Sequence, residues 1–551
     1  MSNADTAFAK LTQSELILVG SLGTEVDFDD GEILFRAGDA KIDLFVVLEG
    51  SVEIVNPADG NRLVVTHDPG AFIGDIDLLT GRPVLVTAIA RGNAKTIRVP
   101  FSKIRSLLNR VPSFGEKLIV GFTRRREILS QTGAIGVQIV GPGHCRETNL
   151  AREFLYKNFV PFTWHAPDSA LGERLTQEAN AGGKSPIIRL NDQRFLIDPS
   201  LKELASASGA WQPCPDSHLQ LAIIGAGPAG IAAAVYAASE GIETLLIDRM
   251  GPGGQAGGSS KIENFIGFPA GLSGAELATR GVLQMLKFGA QMAAPVGVVE
   301  LKPAATSNGP ITLTLDCGST LSADVVLIAT GVHWRRLEAI GASRFEGAGI
   351  HYVCTSVEAH LYDGQDVAVV GSGNSAGQAV MYLAECCTSR TVHLFVRGRF
   401  GNGMSEYLSN RIRNTSNVRI HEQSQITSVH GTKHIDEIEF QSSEIAATLA
   451  TRLSCAAVFA FIGAEPSCDW LPESIAKDAN GYLQTGIDVL RSGSWPLVDR
   501  DPCALETSIP GVLAAGDIRS GSTKRVGFAV GDGSLAVTCT HKLISIRSQS
   551  T

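Results

Sequence analysis

Between residues 22 and 100 the apolar positions come in short runs separated by turn residues. Leu44-Phe45-Val46-Val47-Leu48, Ser51-Val52-Glu53-Ile54-Val55 and Leu63-Val64-Val65-Thr66 are cut off by Gly50, Asp59-Gly60 and Pro69-Gly70. Short strands with regular turn signals predict a small β-roll or barrel. From 101 to 130 the spacing becomes helical, with Ile104, Leu107, Leu108 and Val111 recurring on one face. A different pattern occupies 136–208: a strand at Val137–Val140, a helix from Thr148 to Phe159, a strand at Phe162–Trp164, a hairpin at 186–197 around Asn191-Asp192, and a closing helix from Leu201 to Ala207. Residues 209–218 are polar, contain Pro213 and Pro215, and read as a linker. From 219 onward strands and helices alternate, which predicts α/β architecture with parallel sheets.

The length, 551 residues, exceeds what one core serves and suggests several domains. Hydrophobic residues at 44% and charged residues at 19% are those of ordinary globular protein. A net charge of −9 with no long basic run argues against a nucleic-acid partner. No apolar stretch reaches the roughly 20 residues of a membrane span, and the first residues lack the charged and apolar regions of a signal peptide. Ten scattered cysteines without a C-x-x-C or a zinc-like spacing fit a reducing compartment, so a cytoplasmic protein without a metal site is expected.

Two glycine turns carry the chemistry. The apolar strand 219–224 runs into Gly225-Ala226-Gly227-Pro228-Ala229-Gly230 and then a helix. Gly225 permits the tight turn, Gly227 lets the backbone approach a diphosphate, and Gly230 lets the helix pack on the strand. The helix start then favours the phosphate charge. Asp248 ends the next strand, 23 residues beyond Gly225, where a carboxylate can accept from a ribose hydroxyl. The second turn is Gly371-Ser372-Gly373-Asn374-Ser375-Ala376, with alanine at the third position, which this fingerprint tolerates. Its following strand ends in Arg397, with Arg399 nearby, rather than in an acid. Arginine suits a 2′-phosphate and favours NADP(H) over NAD(H). With one nucleotide NADP(H), the other is most simply a flavin able to take up the hydride.

At this point residues 219–541 resemble the low-molecular-weight thioredoxin reductase family. Gly253-Gly254-Gln255 and Ile262-Glu263-Asn264-Phe265 are similar to its flavin contacts, Ala329-Thr330-Gly331 to its crossover, and Gly516-Asp517 to its late motif at the flavin ribityl chain. Lys524-Arg525-Val526 stands where the family presents backbone N–H groups to the flavin. The resemblance implies an FAD domain (219–334 and 464–551) interrupted by an NADP domain (335–463), and a homodimer. One departure stands out. The family's redox C-x-x-C precedes the second nucleotide strand, and here Val353 and Ser356 hold the two cysteine positions with Cys354 between them. A single thiol cannot form an intramolecular disulfide. Cys354 reads first as a small buried hydrophobe and only second as a catalytic thiol, and Cys386 and Cys387 as packing residues.

Residues 12–130 resemble a cyclic-nucleotide-binding domain with a C-terminal helix. Its phosphate cassette runs from Phe72 to Ala88; Gly74-Asp75 keeps the ribose-binding pair conservatively, but Val84 replaces the arginine that meets the cyclic phosphate, and Arg82 is wrongly spaced to substitute. Retention as an interaction or dimer module, with weak or no cyclic-nucleotide binding, is expected. Residues 136–208 resemble thioredoxin-like or glutaredoxin-like folds, with Ser185-Pro186 at the cis-proline position and Cys145 alone in the active-site region, Thr148 holding the second position. The expected activity is an FAD-dependent NADPH oxidoreductase. Its acceptor is a thioredoxin-like protein by resemblance, or ferredoxin, a quinone or another small molecule by the missing cysteines; a flavin-based redox sensor is the non-enzymatic alternative.

Overall fold

A computed structural model describes residues 8–74, 77–118, 120–121, 125, 136–143, 145–211, 214, 218–259, 261–262, 264–304, 306, 309–354, 356–432, 434–443 and 451–549. Asp75, His144, Glu263, Thr355, much of 119–135 and half of the 209–218 linker lie outside the described residues, as do the side chains of Ser356 and Val357.

The N-terminal part is a six-stranded antiparallel sheet built on two long strands, Leu44–Asn56 and Thr87–Val99, paired along their length. Their register shifts between Val47 and Ser51, where Gly50 takes φ +72°. The helix predicted over 101–130 is broken. It runs Phe101–Arg110, Val111 leaves helical geometry at φ −124°, ψ 74°, and helical backbone resumes at Pro112. Proline excludes its predecessor from helical ψ, which the apolar periodicity alone did not reveal.

The next part has four strands in the order Phe195–Ile197, Ile187–Arg189, Val137–Val140, Phe162–His165; the last two are parallel and the other pairs antiparallel. The Ser185–Pro186 peptide is cis. Helices span Arg146–Lys157, Ala170–Ala179 and Leu201–Ala207. The sequence reading leaves 166–185 without an element. The signals are present there, however: Ser169 accepts from Gly172 N at the helix start, and Asn180 ends it with φ 48°.

Beyond 218 lie two α/β bodies, the first on a mixed sheet and the second on a parallel one. A seven-stranded sheet holds Leu219–Ile224 at its centre, parallel to Thr244–Ile247 on one side and Thr320–Ile328 on the other, with Val512–Ala514 added from the far end of the chain. A five-stranded parallel sheet is ordered Ile350–His351, Ala457–Ala460, Val367–Val370, Val392–Phe395, Val418–His421. Their central strands Leu219–Ile224, Thr244–Ile247, Val367–Val370 and Val392–Phe395 are covered on both faces, and every residue of them except Gln220 is buried. The chain leaves the first body through Val332–Trp334 and returns through Ala464–Pro466, and these two segments pair antiparallel.

Candidate functional site: two nucleotide cradles and the segment between them

The first cradle is assembled from four separate glycine segments. Gly225 takes φ +106°, and a Cβ there would lie 2.4 Å from Ala329 O; a Cβ on Gly230 would lie 1.9 Å from Gly225 O. These two positions exclude any side chain. Gly227 is different: it is the N-cap of the helix Pro228–Ser239, no side chain caps that helix start, and the nearest atom to its Cβ position is Gly254 Cα at 4.0 Å. The backbone N–H groups of the first turn are thus left for a ligand, in front of a surface with room for it. Gly254 (φ +52°) crosses close to Gly227, and Gly253 N donates to Ala226 O at 2.8 Å. Gln255 Nε2 donates to Val332 O, at the exit to the second body. Gly516 (φ +75°) packs against Ala229 and donates its N–H to Asp532 Oδ2 at 3.0 Å. Burial raises the Asp517 carboxyl pKa, Lys524 opposes this, and Asp532 adds to it. Thr330 Oγ1 donates to Ser467 O at 2.9 Å, and Gly331 takes φ +62°. Val526 opens the long helix Val526–Gln549, while Arg525 and Asn264 are exposed.

Asp248 is more heavily used than its spacing implied. Its Oδ2 accepts from Ala226 N, and its Oδ1 accepts from Met250 N and Gly251 N, all at 2.8 Å. The carboxylate therefore ties the glycine turn to the loop beyond the strand. Two carboxylate oxygens offer about four acceptor directions, so a place for a ribose hydroxyl is left.

The second cradle repeats the design. Gly371 (φ +146°) would place a Cβ 2.5 Å from Phe461 O, whereas Gly373, the uncapped N-cap of the helix Asn374–Cys386, has nothing within 4 Å. Ala376 is fully buried, in contact distance of Gly371, and Ser375 is exposed. Arg397 and Arg399 are exposed on the loop after the strand. That loop folds back on the turn, because Asn374 Oδ1 accepts from Ser405 N at 2.8 Å. Arg413 reaches the same loop, 5.2 Å over the Phe400 ring. No local sequence pattern marks this contact, which joins a helix end to a loop of a separate element.

Val353 faces the first cradle. Its Cγ1 lies 3.4 Å from the Cβ position of Gly258, in the loop that begins with Gly253-Gly254. Cys354 is half-buried, and burial drives its pKa far up, so it stays a neutral thiol. The following helix, Ser356–His360, is held by fully buried Arg390, which donates to Ala359 O at 2.7 Å. The four-stranded unit docks on this region. Asn149 Nδ2 donates to Gly347 O at 2.8 Å, and Gly143 packs on Leu361 and Trp164. Cys145, the N-cap of its helix, donates from Sγ to Glu147 Oε2 at 3.2 Å.

In the phosphate cassette Val84 is buried. Arg82 is buried too, and donates from Nη1 to Asn158 O at 2.6 Å. Arg125 closes the cassette from outside: it donates to Gly74 O (2.9 Å) and Phe72 O (3.2 Å) and lies 4.3 Å over the Phe72 ring.

The profile of the pyridine nucleotide-disulphide oxidoreductases matches residues 219–533. The chain belongs to that family. Residues 25–111 match the cyclic nucleotide-binding domain. A 34.2 kDa protein in the rubredoxin operon of Clostridium pasteurianum is 32% identical over 330 residues, 60% of this chain and 98% of that protein. The thioredoxin reductase of Ureaplasma parvum is 31% identical over 327 residues, 59% of this chain and 96% of that protein. The crystal structure of T. acidophilum thioredoxin reductase superposes with a TM-score of 0.51 at 26% identity, over 60% of this chain and 99% of that one. The chain is accordingly a pyridine-nucleotide oxidoreductase, and FAD and NADP(H) are its cofactors. The two uncapped helix starts, each fronted by a glycine whose Cβ position meets no atom closer than 4.0 Å, fit a dinucleotide diphosphate apiece. Among the described residues no helix is long and apolar enough to cross a membrane, and no group of side chains could hold a metal ion.

Proposed function

We propose that this enzyme oxidises NADPH and delivers the electrons from its flavin directly to an acceptor, without a disulfide of its own. The position of Val353 carries this. It stands beside the 253–258 loop, where the resemblance places a redox cysteine, and a valine has no electrons to relay. FAD, when bound, takes a hydride from NADPH and gives up two electrons. The chain's own part is to hold and orient. Gly227 and Gly254, with the helix start at Pro228, would seat the FAD diphosphate; Asp248 would take the ribose; Gly253, Gln255, Asn264, Thr330, Gly331, Gly516, Asp517, Arg525 and Val526 would line the rest. Gly371, Gly373, Asn374, Ser375 and Ala376 would seat the NADPH diphosphate, with Arg397 on the 2′-phosphate.

Two further assignments belong to this proposal. The 136–208 unit is a thioredoxin-like or glutaredoxin-like domain, supported by its strand order and its single parallel pair. It docks through Asn149 and Gly143 on the 347–361 segment, which contains Val353, so an external protein binding that segment would have to compete with it. A quinone or ferredoxin is therefore favoured over thioredoxin as acceptor. The cyclic nucleotide-binding domain binds cyclic nucleotide weakly or not at all, because Val84 offers no cation and Arg82 is committed to Asn158.

The test is direct. Yellow purified protein should bleach on anaerobic addition of NADPH, and turnover with a quinone or ferredoxin should exceed that with thioredoxin. Thioredoxin reduction at the faster rate would refute the direct route, and a bound flavin that NADPH does not bleach would refute the enzyme.

A further inference from the structure

Asn158 and Phe159 stand where three parts of the chain meet. Asn158 closes the helix Arg146–Lys157 and is fully buried. Its Nδ2 donates to Phe154 O at 2.9 Å, an ordinary helix-end bond, and also to Met250 O at 2.7 Å. Met250 belongs to the loop whose N–H groups hold Asp248. Gly251 fits against Asn158 so closely that a Cβ there would lie 2.7 Å from Nδ2, and 3.1 Å from Lys157 Cβ. On its other side, the carbonyl of Asn158 accepts from Arg82 of the phosphate cassette. Phe159 then takes φ +59°, a conformation that bulky side chains avoid, and its ring enters the core shared by the N-terminal sheet and the helix Pro228–Ser239. Such a conformation persists only where the surroundings impose it.

We propose that Arg82 and Asn158 are positioning residues for the adenosine half of FAD. Arg82 fixes Asn158, Asn158 fixes the 250–251 loop, and that loop fixes the carboxylate of Asp248. The cassette thus acts on the flavin site through one backbone carbonyl and one side-chain amide. By linkage, whatever displaces Arg82 weakens FAD, and bound FAD stiffens the cassette. This rests on the flavin reading above and adds to it a role for the N-terminal domain.

The experiment titrates FAD into flavin-free wild type, Arg82→Met, Arg82→Lys and Asn158→Ala, following the quenching of flavin fluorescence. Arg82→Met and Asn158→Ala should bind FAD on the order of tenfold more weakly, and Arg82→Lys, which keeps a donor, should recover most of the loss. At saturating FAD the visible absorption band of every variant should match the wild type, because the isoalloxazine end is untouched. FAD affinities equal to wild type in Arg82→Met and Asn158→Ala overturn the inference. So does a band that changes together with the affinity, which marks general loosening. If Asn158→Ala does not fold, the Arg82→Met and Arg82→Lys pair decides alone. A wild type that takes up no FAD refutes the flavin reading itself, and the inference falls with it.

Discussion

Arg397 is an exposed side chain whose worth depends wholly on what binds beside it. Free of ligand it is a solvated charge; against a 2′-phosphate it makes a charge-assisted contact that a nicotinamide dinucleotide without that phosphate cannot receive. Arg397→Leu should therefore raise the KM for NADPH about tenfold while leaving the KM for NADH and both kcat values close to wild type. Equal losses with both coenzymes would remove the assignment. A second residue-scale effect concerns pH. Burial pushes the His421 imidazole down to about 4, with His393 adding to the shift, and its ring stacks on Phe395 at 4.5 Å. An unfolded histidine titrates near 6.5. The neutral folded form thus contributes stability that is present above that pH and lost as pH falls toward 4. His421→Phe keeps an aromatic ring and removes the proton, so its melting temperature should fall less than the wild type's between pH 7 and pH 5. Identical slopes in a thermal melt series would contradict this.

At the scale of elements, the two glycine turns separate folding from binding. Gly225 and Gly230 are needed by the fold itself, since a methyl on either would meet a backbone oxygen. At Gly373 nothing lies within 4 Å of where a methyl would go, and at Gly227 only Gly254 Cα at 4.0 Å, so the protein should tolerate the methyl while the diphosphate proposed there should not. Gly227→Ala should melt like the wild type once both are flavin-free, yet purify colourless. Gly225→Ala should lose both flavin and stability, at a cost of roughly 1–3 kcal/mol from the backbone strain alone. A yellow Gly227→Ala protein would show that the diphosphate does not lie over that turn. This contrast also measures what the sequence could tell. The strand–turn–helix units are local, so spacing and residue type expose them. The helix Ala170–Ala179 was marked by Ser169, Asn180 and the i, i+4 spacing of Leu171, Leu175 and Ala179, and the break at Val111 was marked by Pro112. The fold-back of the 397–405 loop onto Asn374, the arrival of Arg413, the three-way use of Asp248 and the Arg82–Asn158–Met250 chain left no trace in local pattern. Each joins residues from separate elements, and such contacts are set by tertiary packing rather than by periodicity.

The whole molecule is held by a core that its sequence divisions would not suggest. One continuous buried cluster includes Leu44, Val46, Phe72, Leu78, Leu107 and Phe114 from the N-terminal part and Leu221, Ala233, Val282, Leu283 and Leu286 from the seven-stranded body. The helix Gly274–Phe288 supplies the join. It packs on the helix Pro228–Ser239 on one side and on the short helix Asp77–Thr80 and the helix Phe101–Arg110 on the other. The cassette helix is therefore buried against the seven-stranded body, and the cyclic nucleotide-binding domain shares one core with it. Two consequences follow from apolar burial at about 25 cal/mol per Å². The N-terminal domain and the flavin-side body should unfold in one calorimetric transition. A chain cut to residues 219–551 should expose the outward side of the helix Gly274–Phe288, bind a hydrophobic dye and self-associate. Cutting instead between 464 and 511 would remove Val512–Ala514 from the seven-stranded sheet and should abolish folding outright. If the 219–551 fragment is monodisperse, dye-silent and melts with the full-length protein, the join is a surface contact, and the path from the cassette to the flavin loop loses the rigid base on which it stands.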